Sequence, residues 1–307
     1  MSGPAGRIQR PVSKGGGVNL QERAVRFECE GNGLYGIVNE PTPSASRGVL
    51  IVVGGPQYRA GSHRQFTLLA RQLASHGIPV MRFDYRGMGD SDGEIRTFES
   101  VGADLRQAID TFVSEVPAVK ELVIWGLCDA ASAATFYAHG DARITGLVLL
   151  NPWVRTDEGM AKAYLRHYYL SRLFKRDMWL KIFHGSFNFR TAAKSLVGTI
   201  RKTAAMGESG AGQSVERGAP TSGQAPLPER MRAGLALFKG KVLIILSGND
   251  LTAKEFQDLV KASRKWKRML GGPNYQRRDL PEANHTFSTR EWRDQVASWT
   301  RDWIASW

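Results

Sequence analysis

Apolar and polar positions change their period several times along the chain, and the changes mark its elements. Between Arg23 and Gly48 the alternating runs RAVRFECE and LYGIVNE predict two strands joined at Gly31-Asn32-Gly33, because Asn-Gly between alternating runs favours a hairpin. GVLIVVGG follows, a continuous β-branched run that reads as a strand buried on both faces. Residues Ser62 to His76 carry helical spacing (Phe66, Leu69, Leu73) and stop at Gly77. The strand IPVMRFDY, a helix from Phe98 to Val113, the strand LVIW, a helix from Ala130 to His139 and the strand ITGLVLLNP come next. This strand–helix alternation predicts right-handed crossovers and a doubly wound, mostly parallel sheet covered on both faces.

After Pro152 the rhythm breaks. Residues 155–202 read as helical, basic and rich in large aromatics (Tyr164, Tyr168, Trp179, Phe183, Phe187, Phe189). Residues 207–228, rich in Gly, Ser, Pro and Gln, read as a disordered loop. Alternation resumes with KVLIILSGND, a helix from Thr252 to Arg268, a strand over Tyr275 to Leu280 and a final helix from Thr289. The expected organisation is therefore a disordered tail over 1–22, a core over 23–154 and 236–307, and a helical basic cap inserted at 155–235.

The segment WGLCDA, residues 125–130, leaves a predicted strand and opens a predicted helix. That is where α/β-hydrolases carry the G-x-S-x-G nucleophile elbow, spelled here Gly126-x-Cys128-x-Ala130. The sharp turn needs small residues two before and two after the nucleophile, and Gly126 and Ala130 are small. A thiol at a helix N-terminus is assisted toward thiolate by the dipole and the unpaired N–H groups. The N–H of Asp129 would face a developing oxyanion, whereas its carboxylate opposes a neighbouring thiolate.

In this fold the order along the chain is nucleophile, acid, histidine. Asp250 stands directly after the strand KVLIIL, and His285 stands after the next strand and before the last helix. Cys128, Asp250 and His285 are thus the expected triad. The other histidines (His63, His76, His139, His167, His184) fall on predicted helices. A second oxyanion donor is expected from Val53-Gly54-Gly55-Pro56-Gln57-Tyr58: Pro56 has no N–H, so Gly55 is the choice, with Gln57 behind it. In FDYRGMGDSDG, residues 83–93, Arg86, Gly87, Gly89 and Ser91 read as loop architecture, and no serine is taken to compete with Cys128. Cys29 lies in an edge-strand pattern and reads as structural.

Composition narrows the setting. With 42% hydrophobic and 23% charged residues the chain suits a soluble globular protein. Val49 to Val53, five residues, falls far short of the ~20 a membrane helix needs. Two cysteines exclude a disulfide scaffold, and without an apolar N-terminal region a reducing cytoplasm is expected. The 42 basic against 29 acidic residues give a net charge of +13, which favours acidic partners. Much of the excess is local: residues 155–202 hold eleven Lys or Arg and three Asp or Glu. Arg166, Arg172 and Lys175 are the candidate substrate-binding cations there. No CxxC, HExxH or paired-carboxylate cluster suggests a metal, no phosphate-binding glycine loop suggests a nucleotide, and no nucleic-acid module is recognisable.

GVLIVVGGPQYRAGSHRQF, MRFDYRGMGDSDG, WGLCDA, SGNDLTAKEF and NHTFS together resemble the exosortase A system-associated hydrolases of the first type. The resemblance covers roughly residues 23–306 apart from 207–228. It implies an α/β-hydrolase fold in a cytoplasmic enzyme encoded with bacterial exopolysaccharide and protein-sorting machinery. It also implies Cys128 as nucleophile, Asp250 as orienting acid and His285 as base; Asn284 stands where an Asp often precedes the histidine. The expected activity is hydrolysis of an ester or thioester of a small, anionic acyl substrate, without a cofactor. Acyl transfer by the same fold, and a non-catalytic role beside an exopolysaccharide or sorting complex, are the alternatives.

Overall fold

The computed structural model describes residues 10–15, 18–55, 57–154 and 225–307. Its strands are β1 (Arg10–Gly15), β2 (Val18–Cys29), β3 (Asn32–Thr42), β4 (Arg47–Val52), β5 (Val80–Asp84), β6 (Glu121–Leu127), β7 (Ile144–Leu150), β8 (Lys241–Asn249) and β9 (Tyr275–Asn284). The described helices are α1 (Gln65–Ala74), α2 (Gly102–Glu115), α3 (Asp129–Tyr137), α4 (Leu227–Leu237), α5 (Leu251–Ala262), α6 (Arg264–Leu270) and α7 (Arg290–Ala305).

The strands form one sheet in the order β1-β2-β3-β5-β4-β6-β7-β8-β9. From β5 to β9 every pairing is parallel, while β1, β2 and β3 pair antiparallel at one end. Parallel neighbours need crossovers, and α1, α2 and α3 supply them between β4 and β5, β5 and β6, and β6 and β7. The sheet is the doubly wound one that the strand–helix alternation predicts.

Strand β4 shows why both faces are covered. Val49, Leu50, Ile51 and Val52 are all at most 1% exposed, and their side chains point alternately to the two faces. Val49 and Ile51 pack with Phe66 and Leu73 of α1 and Val296 and Ile304 of α7. Leu50 and Val52 pack with Leu105 and Phe112 of α2 and Ala134 of α3. Burying each such side chain stabilises the fold by about 1.5–3 kcal/mol. Because every parallel strand ends in the same direction, the loops after β4, β5, β6, β7, β8 and β9 gather along one edge of the sheet, where a site can form.

Several expectations are corrected. The turn of the first hairpin is Glu30-Gly31, not Gly31-Asn32-Gly33: Cys29 pairs with Asn32, and the two loop residues have φ of 48° and 77°. Two positive φ values are what a tight two-residue hairpin demands, and Asn32 Nδ2 braces the turn by donating to Glu30 O at 3.0 Å. The tail assigned to 1–22 contains β1 and the start of β2, whose pairing satisfies backbone groups that an edge at Leu20 and Gln21 would leave open. The predicted helix 252–268 is two helices, broken at Ser263, whose hydroxyl caps α6 by accepting Trp266 N–H at 3.4 Å. Residues 227–235, assigned to the insertion, lie in α4, where Met231 and Leu235 are buried in the core beside α3. All described residues belong to one compact unit, interrupted in sequence between 154 and 225. The predicted helices of 155–202 and most of the 207–228 loop lie outside the described residues.

Candidate active site

Cys128 occupies the single residue between β6 and α3, with φ 64° and ψ −124°. A side chain in that conformation costs about 1–3 kcal/mol, which the surroundings must over-determine. They do so through the backbone. Cys128 N–H donates to Leu150 O at 2.8 Å, and its carbonyl accepts the N–H groups of Ala131 at 3.1 Å and Trp153 at 3.2 Å. Gly126 lies so close to the first turn of α3 that a Cβ would come within 2.7 Å of the Ala130 carbonyl group, so the elbow admits only glycine there. Cys128 is half-buried and Cys29 is buried; neither is in a disulfide.

His285 Nδ1 and Asp250 Oδ2 lie 2.9 Å apart. Asp250 is also the N-cap of α5, accepting the N–H groups of Thr252 at 3.3 Å and Ala253 at 3.0 Å. Burial alone would raise its carboxyl. The hydrogen bond and charge of His285, with the two helix N–H groups, outweigh burial and hold it below the usual carboxylate range. The His285 loop is shaped by Asn284, whose side chain donates to Ser288 Oγ at 2.8 Å and accepts Ser288 N–H at 3.1 Å.

Asn151, which the sequence analysis does not single out, joins these parts. Fully buried after β7, its Nδ2 donates to His285 O at 3.1 Å and to Ser247 Oγ at 2.9 Å, and its Oδ1 accepts Ser247 N–H at 2.9 Å. Its neighbour Leu150 holds Cys128, so consecutive residues fix the backbones of Cys128 and His285. The available signal was Asn-Pro directly after a strand, in which Asn151 takes a φ of 42°.

The oxyanion expectation meets a complication. Gly55 N–H donates to Asp129 Oδ2 at 2.9 Å, and Gln57 N–H donates to Gly55 O at 2.8 Å. Asp129 Oδ1 accepts Ala130 N–H at 2.9 Å. Burial pushes the Asp129 carboxyl up, opposed by these N–H groups and by the charge of His285. The loop after β4 is further tied to the end of β5 by Arg59. Its N–H donates to Asp84 Oδ1 at 2.6 Å, and its guanidinium pairs with Asp84 and, at 2.8 Å, with Asp90.

A literal G-x-S-x-G does occur, at Gly89-Asp90-Ser91-Asp92-Gly93, but it is a loop after β5. Ser91 Oγ donates to Asp84 O at 2.6 Å and accepts Tyr35 N–H at 3.0 Å, so the hydroxyl ties this loop to β3. Arg86 in the same loop forms a buried pair with Asp104 (Nη2 to Oδ2 2.9 Å) and also pairs with the exposed Glu30. Both agree with the architectural reading. Arg166, Arg172 and Lys175, like Pro56, lie outside the described residues. No group of ligating side chains among the described residues could hold a metal ion, and no described helix is long and apolar enough to cross a membrane.

Comparison with known proteins agrees with this architecture. The profile of the hydrolase family described as serine aminopeptidase, S33, matches residues 44–219. The Pyrococcus furiosus esterase Pf2001 superposes with a TM-score of 0.59 at 17% identity, over 93% of this chain and 94% of that one. The dienelactone hydrolase of Anabaena variabilis gives 0.58 at 14% identity, over 94% and 98%. Est1E of Butyrivibrio proteoclasticus, solved with ferulic acid bound, gives 0.57 at 14%, over 92% and 98%. At these identities the likeness is one of fold. A polyketide transferase of a Penicillium species is 28% identical over 120 residues, which is 36% of this chain and only 39% of that protein.

Proposed function

Because the chain belongs to the serine aminopeptidase S33 family and is an α/β-hydrolase enzyme, we propose that it cleaves an ester or thioester through Cys128, His285 and Asp250. The observation that carries this reading is the cysteine at the strained turn of the elbow, on a sheet whose next strand ends bring an Asp–His pair to 2.9 Å. His285 receives the thiol proton as Cys128 Sγ bonds to the substrate carbonyl carbon, and the carbonyl π pair moves to oxygen. Asp250 keeps the Nδ1 proton in place and stabilises the imidazolium. Collapse of the tetrahedral intermediate expels the alkoxide or thiolate, protonated by His285, and leaves an acyl-Cys128 thioester. Water then adds to that carbonyl with His285 as base, releasing the acid and restoring the thiol.

Exposure of the intact protein to a panel of activated esters and thioesters tests this reading by mass spectrometry. One acyl group on Cys128 is expected, absent from Cys128→Ala. Acylation that persists in that variant overturns the assignment.

Transfer to an acceptor hydroxyl is the second reading, favoured by the partial match to a polyketide transferase. A nucleophilic acceptor should then divert the acyl group from water. We favour thioesters, because the eleven cations of 155–202 suit a phosphorylated carrier such as coenzyme A. Charge reversal at Arg166, Arg172 and Lys175 together should raise KM for an acyl-CoA and leave turnover of a small neutral ester nearly unchanged. Equal effects on both substrates count against the thioester assignment. The assignment to a cytoplasmic exopolysaccharide or exosortase system rests on the motif resemblance alone, and two unbridged cysteines are compatible with it.

A further inference from the structure

The Asp129 side chain does something that helix capping does not require. It follows the elbow cysteine directly, yet one oxygen of its carboxylate reaches to the loop after β4 and takes the Gly55 N–H at 2.9 Å. Its other oxygen takes Ala130 N–H, also at 2.9 Å, so the two oxygens span the gap between the elbow and that loop. The backbone of the β4 exit is shaped to admit it: a Cβ on Gly54 would stand 2.2 Å from Asp129 Oδ1 and 2.6 Å from Leu127 O. The Gln57 backbone N–H offers no substitute, because it donates to Gly55 O. A carboxylate oxygen on a backbone N–H beside a nucleophile has the charge and hydrogen bonding of the tetrahedral oxyanion that acyl chemistry would place there.

We propose that the Asp129 carboxylate is a resident occupant of the oxyanion site, holding the Gly55 N–H that the substrate carbonyl oxygen must take, so that acylation of Cys128 requires it to give way. The proposal rests on Cys128 being the nucleophile. It explains how Gly55 serves as the second donor although its N–H is engaged at rest. It also places a carboxylate charge where the oxyanion would form, across the site from His285, whose charge acts on it. Tyr85, at the exit of β5, faces the same carboxylate, and burial together with that charge raises its phenol. A substrate therefore enters by exchange, its carbonyl oxygen replacing a carboxylate oxygen on one N–H.

Two reactions of the full chain separate this role from a general effect on the thiol. Acylation of Cys128 by 4-nitrophenyl acetate builds an oxyanion, whereas alkylation by iodoacetamide does not. The ratio of their second-order rate constants thus cancels the reactivity of the thiolate itself. In Asp129→Asn, which keeps the shape and loses the charge, the ratio should rise about tenfold, below the ~10²–10³ that a whole oxyanion donor is worth. In Asp129→Ala, which empties the position, it should rise at least as far. Thermal melting establishes which variant folds, and either one alone decides. An unchanged or lower ratio, even with faster alkylation, makes Asp129 a loop tether and overturns the proposal. Alkylation of Cys128 without acylation in the parent and both variants overturns the nucleophile assignment itself, a separate result.

Discussion

Asp250 Oδ2 stands 2.9 Å from His285 Nδ1 while the same carboxylate caps α5 through Thr252 and Ala253. One side chain thus holds the His285 imidazole and starts a helix, and a substitution can separate the two duties. Asn caps about as well as Asp, so Asp250→Asn should retain most of the fold but lose the charge paired with His285. Turnover should fall by about 10²–10⁴. The folded carboxyl is held below its usual value, so its contribution to stability is full above the unfolded value of about 3.9 and is lost as pH falls through the folded one. The melting-temperature gap between parent and variant should shrink as pH falls below about 4. A gap that widens on acidification contradicts this linkage.

The two cysteines should differ sharply in reactivity. Cys29 is 2% exposed, and burial first, then the charges of Asp104 and Glu30, push its thiol up. Iodoacetamide at neutral pH should label Cys128 in the native protein and Cys29 only after denaturation. Peptide mapping reads the outcome, and preferential labelling of Cys29 in the folded protein rules out Cys128 as the reactive thiol.

Asn151→Ala removes the partner of His285 O and of the Ser247 N–H and hydroxyl, all at a buried position. Each group left unsatisfied costs about 1–3 kcal/mol, so a clear drop in melting temperature is expected. Because the same side chain fixes the His285 backbone, kcat should also fall at temperatures where the variant is fully folded. Normal turnover in a folded Asn151→Ala protein would confine this residue to stability.

Much of this site is legible in the sequence because it lies at strand ends, and the strands announce themselves. The runs containing Val49 to Val52 and Val242 to Leu246 are apolar on both faces, so β4 and β8 and the residues that follow them can be located before any contact is known. Gly126 stands two residues before Cys128 with the only size the turn admits there, and Ala130 after it is small. What escaped notice depends on partners distant in sequence. Strand β1 has little apolar signal of its own and exists through pairing with β2. Asn151 resembles any turn residue until Ser247 and His285, 96 and 134 residues on, are placed beside it. The Gly55–Asp129 contact spans 74 residues, and no local period encodes it. At Ser263 the capping hydroxyl prevails over an otherwise continuous helical pattern, and at Glu30-Gly31 backbone twist prevails over the more familiar Asn-Gly pair.

Cys128, His285 and Asp250 should fail as one unit. Members of such a constellation act jointly, so removing a second costs far less than removing the first. Cys128→Ala with His285→Ala should therefore be no slower than Cys128→Ala alone, while His285→Ala by itself should abolish detectable acylation of Cys128. Cys128→Ser is the sharper probe. A hydroxyl is slightly smaller than a thiol and suits the half-buried position, so φ near 64°, the bond to Leu150 O and those from Ala131 and Trp153 should persist and the melting temperature should stay near the parent's. The hydroxyl is far less acidic, however, and the Asp129 carboxylate beside it opposes any negative charge that forms. Most of the activity should disappear although the fold remains. Full activity in Cys128→Ser would move the chemistry to another residue, and a protein that no longer folds would favour a packing role for the cysteine.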